Sequence, residues 1–277
     1  MREIEASKIT ETVAELCIRA NTVLPEDVRA ALESARALED GEAARGILDT
    51  IIENYNIAGP VPICQDTGLA CVFLEIGQEV HIVGNLTDAV NAGVAKGYTE
   101  GYLRKSVVRD PLDRVNTGDN APALIYTEIT PGDKVKITVA PKGAGSENMS
   151  RVAMLTPSAG IDGVRDFVLE TVRLAGPNPC PPIVVGVGVG GNFDKAALLA
   201  KQALLRPIGT HHPNKLYSDL EAELLELINE SGIGPQGLGG RTTAIGVQIE
   251  TMPTHIASLP CAVNINCHVS RHVTEVL

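Results

Sequence analysis

Hydrophobic and polar positions change period partway along the chain. Up to residue 52 the apolar side chains recur at helical spacing. Ile9, Val13, Leu16, Cys17 and Ala20 follow Ser7; Val28, Leu32, Ala35 and Leu38 run from Pro25 towards Gly41; Ala44, Ile47, Leu48, Ile51 and Ile52 come next. This predicts three amphipathic helices, the first capped by the Ser7 hydroxyl. Beyond Cys64 the pattern is mixed. Residues 70–76 and 80–83 read as strands, and 85–103 as a helix. Residues 124–129 and 134–139 read as strands paired around the Pro131-Gly132-Asp133 turn. A helix carrying Ile161, Val164, Phe167, Val168 and Val172 stops at Gly176, 183–190 is a buried strand, and 194–206 is helical. Leu216, Leu220, Leu224, Leu227 and Ile228 mark a further helix ending at Gly232, and strands near 244–249 and 262–265 close the chain. The fold class expected is mixed α/β (α+β): a helical N-terminal segment, 1–57, then a mixed sheet-and-helix region, 58–277, in one continuous fold.

Composition narrows the functional classes. Aromatic residues make up 3% of the 277 positions and Trp is absent, which argues against base stacking. The net charge of −11 disfavours nucleic acid and anionic membrane as partners, so an anionic substrate needs a local basic cluster. The N-terminus Met1-Arg2-Glu3-Ile4-Glu5 has no apolar signal core, and the apolar run 183–191 is far short of the roughly 20 residues that span a bilayer. A cytoplasmic protein with reduced thiols is the expectation.

Six cysteines are present, and three occupy loop-like settings. These are Cys64 in Pro62-Ile-Cys-Gln-Asp-Thr-Gly68, Cys180 in Asn178-Pro-Cys-Pro-Pro182, and Cys267 in Asn264-Ile-Asn-Cys-His268. Three dispersed thiolates suit a [4Fe–4S] cluster with one iron left open, because electron-transfer clusters use four protein ligands. Cys17 falls on the apolar stripe of the first helix and reads as core. Polar and cationic groups accompany the loop cysteines: Arg104-Lys105, Lys142-Gly-Ala-Gly-Ser146, Gly239-Gly-Arg241 and His255. An arginine fork is the natural clamp for a carboxylate.

Two rival chemistries compete. Gly186-Val-Gly188-Val-Gly-Gly191 matches G-x-G-x-x-G, the signature of a dinucleotide-dependent oxidoreductase, but the stretch 207–213 lacks the second strand that such a fold needs. Cys261, Cys267, His268 and His272 could hold zinc in a non-catalytic subunit, although no paired-cysteine spacing supports them. His211-His212 reads as a solvated loop pair.

The ordered set of motifs resembles one family. The Cys64 and Cys180 segments, Asn116-Thr-Gly118, Lys142-Gly-Ala-Gly-Ser146, Leu204-Leu-Arg-Pro-Ile-Gly209, Ser231-Gly-Ile-Gly-Pro-Gln236, and His255 twelve positions before Cys267 together look like class I fumarate hydratase. More narrowly they resemble the alpha subunit of its two-subunit form, which is shared with L-tartrate dehydratase. The resemblance implies a [4Fe–4S] cluster on Cys64, Cys180 and Cys267, with Cys17, Cys71 and Cys261 set aside. It implies Asp66 and His255 as catalytic residues, and Gln65, Arg104 and either Gly143 or Gly145 as contacts to a small dicarboxylate. The chain ends ten residues past Cys267, so the resemblance also implies a beta subunit completing the site, in an α2β2 assembly. The expected reaction is reversible hydration of fumarate to L-malate, with dehydration of tartrate to oxaloacetate as the alternative.

Overall fold

The computed structural model describes residues 1–59 and 61–277. In chain order the elements are β1 (Arg2–Glu5), α1 (Ala6–Thr22), α2 (Glu26–Leu38), α3 (Glu42–Ile57), β2 (Leu69–Gly77), β3 (Val80–Val83), α4 (Leu86–Glu100), β4 (Leu124–Thr130) and β5 (Val135–Lys142). They continue with α5 (Ala144–Glu147), β6 (Arg151–Leu155), α6 (Gly160–Ala175), β7 (Ile183–Gly191), α7 (Phe193–Ala203), α8 (Lys215–Glu230), β8 (Ala244–Thr254), β9 (Leu259–Asn266) and β10 (Val273–Val276). The mixed α/β class expected from the periodicity is the class observed. The chain forms two compact units. Met1–Pro25, Tyr55–Ala144 and Arg271–Leu277 make the first, and Glu26–Asn54 with Gly145–Ser270 make the second. The helical stretch 1–57 is therefore shared, with α1 in the first unit and α2 in the second.

In the first unit a four-stranded sheet has the order β10-β5-β2-β4, and β1 pairs separately with β3. Ile9, Val13, Leu16 and Cys17 of α1 pack with Val90, Val94 and Tyr98 of α4 and with Val72, Leu74, Ile137 and Val139 of the sheet. Burying each large aliphatic side chain stabilises by about 1.5–3 kcal/mol, so this shared stripe is what holds α1 and α4 to the sheet. The expected pairing of strands 124–129 and 134–139 is not observed. β4 and β5 both pair with β2, parallel and antiparallel respectively. Residues 70–74 of β2 are all buried, so this strand takes the centre. The turn after β4 passes over its end, where Gly77 N donates to Lys134 O at 2.8 Å. Ser7 is not the cap of α1 either: the helix begins at Ala6, and Glu5 precedes it without a side-chain cap bond. The β1–β3 pairing leads the chain directly into this helix.

The second unit holds a sheet of order β6-β9-β7-β8, with β7 parallel to β8 and antiparallel to β9. Strand alternation divides its covering. Val185, Val187 and Val189 join Val164, Phe167, Val168, Leu220, Leu224 and Ile228 in one core. On the opposite face Gly186 and Gly188 meet α7, where an added Cβ would fall 2.2 Å from Ala200 O and 2.0 Å from Ala196 O. The G-x-G-x-x-G run thus lies inside a strand, and its first two glycines let α7 approach the sheet. The short strands β1, β6 and β10 carry four or five residues each, too few for period-2 alternation to stand out. Among the described residues no helix is long and apolar enough to cross a membrane.

Candidate active site

The six cysteines separate by setting. Cys17 on α1, Cys71 on β2 and Cys261 on β9 are buried. Burial pushes the Cys17 and Cys261 thiols up to about 12, which suits packing and not ligation. Cys64 and Cys267 are half-buried and Cys180 is exposed, all outside helices and strands.

In the first unit the segment from Cys64 to Gly68 joins α3 to β2 and is fastened almost wholly by side chains. Just before it, Ile63 N donates to Asn21 O at 2.9 Å. The Asp66 carboxylate accepts from Gly68 N at 3.0 Å and from Ala144 N at 2.9 Å, so it bridges its own turn to the glycine loop. Thr67 is buried, and its hydroxyl accepts from Arg104 N at 2.9 Å and donates to Arg104 O at 3.2 Å. The Tyr98 phenol, fully buried on α4, reaches Thr67 O at 2.7 Å and Gly68 O at 3.1 Å. Burial holds that phenol in its neutral, donating form by raising its pKa far above the ordinary range. Asn120 Nδ2 also donates to Gly68 O, at 3.1 Å, while its Oδ1 accepts from Ser106 N and Val107 N. Arg271 Nη2 donates to Asp66 O at 2.6 Å. Gly68 sits at φ +69°, and a Cβ there would lie 2.6 Å from the Lys142 backbone. Only glycine fits so close an approach in that conformation.

The expected site residues of this unit fall around this segment. Gln65 and Arg104 are exposed, and their side chains make no hydrogen bond or ion pair to a described residue. The backbone of Arg104 is nevertheless locked by Thr67, so its guanidinium projects from a fixed base. Gly143 lies against Asp66, where a Cβ would be 3.2 Å from Oδ2.

In the second unit Cys180 adopts φ +55°, a costly conformation for a residue with a Cβ. The surrounding chain holds it there. Cys180 N donates to Pro177 O at 3.1 Å, and Gln236 donates from both its backbone N and its Nε2 to Pro181 O at 2.8 Å. His268 N donates to Cys180 O at 3.3 Å, which brings the Cys267 segment beside the Cys180 segment. Gly145 stands 3.5 Å, measured from an added Cβ, from Asn178 O in the same region. Gly143 and Gly145 therefore have different neighbours, the Asp66 carboxylate and the Asn178 carbonyl.

His255 lies in the exposed turn between β8 and β9. Its Nδ1 accepts from Ala257 N at 3.1 Å, and Ser258 N returns to His255 O at 2.9 Å. An Nδ1 that accepts must be unprotonated, so the neutral ring carries its proton on Nε2. Arg241, expected among the cationic loop groups, is tied to Asp40. His212 is likewise structural: its backbone N donates to Glu221, and its ring packs edge-on to Tyr217. Among the described residues no group of three or more His, Cys, Asp or Glu side chains is arranged to hold a metal ion. Cys261, one of the residues of the rival zinc set, lies in the valine-rich core.

Sequence reasoning missed Thr67, Tyr98, Asn120, Gln236 and Arg271, which hold the cysteine segments in place. Thr67 and Gln236 stood inside quoted motifs, whereas nothing in the sequence pattern singled out Tyr98 or Arg271.

Comparison with known proteins gives a single family. Residues 10–276 match the family model described as fumarate hydratase (Fumerase). A protein of Methanocaldococcus jannaschii, provisionally named L(+)-tartrate dehydratase subunit alpha, is 47% identical over 277 residues, covering 97% of both chains. The L(+)-tartrate dehydratase subunit alpha of Escherichia coli (strain K12) is 35% identical over 274 residues, covering 97% of this chain and 90% of that one. The protein of the same name from Shigella sonnei matches to the same extent.

Proposed function

Because the chain belongs to the fumarate hydratase family of hydro-lyases, we propose that it is the alpha subunit of a cytoplasmic [4Fe–4S] enzyme that reversibly hydrates fumarate to L-malate. A beta subunit completes its site, in an α2β2 assembly. The observation that carries this reading is the family match over residues 10–276, which spans all three loop cysteines. Relatives named as alpha subunits support the need for a second chain.

The donor set fits an iron–sulfur group. Cys64, Cys180 and Cys267 offer soft sulfur ligands on side-chain-anchored loops, while the other three thiols are buried in packed cores. Buried Arg271 adds N–H donors with no partner among the described residues, the kind of group that an anionic cluster satisfies. When bound, such a cluster supplies a Lewis acid at its unligated iron, polarising the hydroxyl that leaves or adds.

The remaining work belongs to side chains. Arg104, exposed and with no ion-pair partner among the described residues of a chain of net charge −11, gives a local cation for one substrate carboxylate, and Gln65 orients the substrate beside it. His255 acts as the imidazolium, delivering its Nε2 proton to the departing hydroxyl and returning to the neutral ring whose Nδ1 accepts from Ala257 N. Asp66 shares that proton work as a carboxylate fixed by two backbone N–H groups. General acid–base groups of this kind contribute about 10²–10⁴-fold. Gly143 or Gly145 supplies a backbone contact to the dicarboxylate. The base that removes the carbon-bound proton comes from the beta subunit.

A second reading has its own support: the similar relatives carry the name L(+)-tartrate dehydratase, which favours tartrate to oxaloacetate. Both substrates are four-carbon hydroxy-dicarboxylates, so the same side chains serve either. The test is to express the chain with its beta subunit, purify the complex anaerobically, measure iron and sulfide, and assay L-malate and L(+)-tartrate in parallel. Iron with sulfide and turnover of malate supports the first reading, and turnover of tartrate alone selects the second. A preparation with stoichiometric zinc, or with no metal and no turnover of either acid, refutes both.

A further inference from the structure

We propose that Arg271 is the positioning residue of the Cys64 loop: it fixes the Asp66 carbonyl, and its unpaired nitrogens hold the negative charge of the group that Cys64 binds. The inference rests on the iron–sulfur reading above and names how the chain's own charge serves that site.

Arg271 is 4% exposed. Among the described residues its guanidinium makes one hydrogen bond, from Nη2 to Asp66 O at 2.6 Å. Nε and Nη1 are shut off from water with no partner among the described residues, and no described carboxylate pairs with the side chain. A guanidinium presents five donors and stays charged at any relevant pH. Leaving such a charge buried without a counter-ion is strongly destabilising, so a chain that retains it has an anion to meet. No described side chain pairs with it: the Asp66 carboxylate is taken up by Gly68 N and Ala144 N, and the Tyr98 phenol, which feels the Arg271 charge, is held neutral by burial.

The contact that Arg271 does make is to a backbone carbonyl two residues after Cys64. The guanidinium and the thiolate are therefore coupled through one short, rigid piece of chain. That piece is already held at Thr67 and Gly68 by Tyr98 and Asn120. Three thiolates leave a bound iron–sulfur group with net negative charge, and N–H donors to its sulfurs raise its reduction potential. Arg271 then has two effects with different signatures. It weakens the metal-free protein, because its charge is unmet, and it strengthens retention of the bound group. A side chain that merely packs would do neither.

The experiment uses the full chain in complex with its beta subunit and compares Arg271→Met, Arg271→Gln and Arg271→Lys with wild type. Two quantities are read: thermal unfolding of the metal-free complex, and the rate of iron loss to a chelator after anaerobic reconstitution with iron and sulfide. Arg271→Met should unfold at the same or a higher temperature than wild type when metal-free, yet lose iron about 10–100-fold faster, the usual effect of removing a partner behind the ligands. Its cluster should also reduce at a lower potential. Arg271→Lys, with the charge but not the planar fork, should fall between. Arg271→Gln keeps a donor for Asp66 O and covers the case in which the Met variant does not fold. Lower metal-free stability with unchanged iron retention overturns the proposal and leaves a packing role, as does equal iron retention in all variants. Failure of wild type itself to take up iron and sulfide overturns the iron–sulfur reading, and this inference with it.

Discussion

Replacing Tyr98 with Phe tests whether the Cys64 segment is held by a buried hydroxyl. The ring stays in place on α4 and only the OH is removed, so no cavity beyond one oxygen is created. The hydroxyl serves two carbonyls, and they are affected differently. Gly68 O keeps its bond from Asn120 Nδ2 at 3.1 Å. Thr67 O, on a residue 1% exposed, has no other partner among the described residues and is left unsatisfied. A buried group stranded in this way costs about 1–3 kcal/mol. For a chain of this size each kcal/mol moves Tm by about 2–4 °C, so the metal-free protein should unfold about 2–12 °C lower. Asn120→Ala should cost more than Tyr98→Phe, because it strands Ser106 N and Val107 N and places alanine at φ +65°. The sharper result is the double variant. Only when both side chains are gone does Gly68 O lose every donor among the described residues, so the loss in the double variant should exceed the sum of the two single losses by about 0.5–3 kcal/mol. Matched thermal or urea unfolding of the four proteins measures this. A Tyr98→Phe variant as stable as wild type, or strictly additive losses, would refute the claim that these two residues jointly anchor the segment.

Other expectations follow from the same geometry. Glu221→Ala should destabilise by about 3–5 kcal/mol in urea unfolding, because Glu221 is 3% exposed and is the buried partner of Arg206, and it also accepts from Ile249 N and His212 N. Gly188→Ala should lose about 1–3 kcal/mol or more by forcing α7 off β7, and NADH should show no affinity for wild type in equilibrium dialysis. His255→Asn should leave iron and sulfide unchanged and cut kcat about 10²–10⁴-fold; near-normal turnover removes His255 from the acid role. In the metal-free chain iodoacetamide at pH 8 should modify Cys64, Cys180 and Cys267 before Cys17 and Cys261, as read by peptide mass mapping against a denatured control. Cys17 and Cys261 are raised from 9.0 to about 12 in the fold, so their contribution to stability is intact below pH 9 and is lost as pH rises towards 12.

Helices and strands with enough residues to show a period were legible. The stripe Ile9-Val13-Leu16-Ala20 named the buried face of α1, and the apolar run of β7 read as the strand buried on both faces that it is. What failed depended on partners distant in sequence. Nothing within residues 124–139 signals that β2 inserts between the two strands, because the competing hairpin has a good turn and good alternation of its own. The cysteines were only partly legible: periodicity put Cys17 in a helix and Cys71 in a strand, but Cys261, beside Pro260 and just ahead of the expected strand 262–265, was set aside by the family resemblance alone. The residues that hold the loop cysteines were not. Tyr98 is separated from Thr67 by 31 positions and Arg271 from Asp66 by 205, and a hydrogen bond to a backbone carbonyl leaves no mark on the residue that accepts it.

The way these loops are held bears on how the site works. A strand is fixed by its ladder, but Cys64 and Cys180 lie where no ladder reaches, and each is fixed instead through carbonyls of its own loop. In one unit the donors are Tyr98, Asn120 and Arg271; in the other they are Gln236 and the His268 backbone. Side-chain donors leave the backbone free of flanking strands, so the thiols stay accessible while their positions are over-determined. This also explains how Cys180 tolerates φ +55°, a strain of about 1–3 kcal/mol that persists only where neighbours enforce it. Removing the Gln236 side chain should then relax Cys180 before it unfolds anything else. Gln236→Ala should therefore impair iron retention in the reconstituted complex at temperatures where the second unit is still fully folded by circular dichroism. Loss of both signals at one temperature would instead mean that Gln236 serves the fold as a whole, and that the strain at Cys180 is held by the sheet.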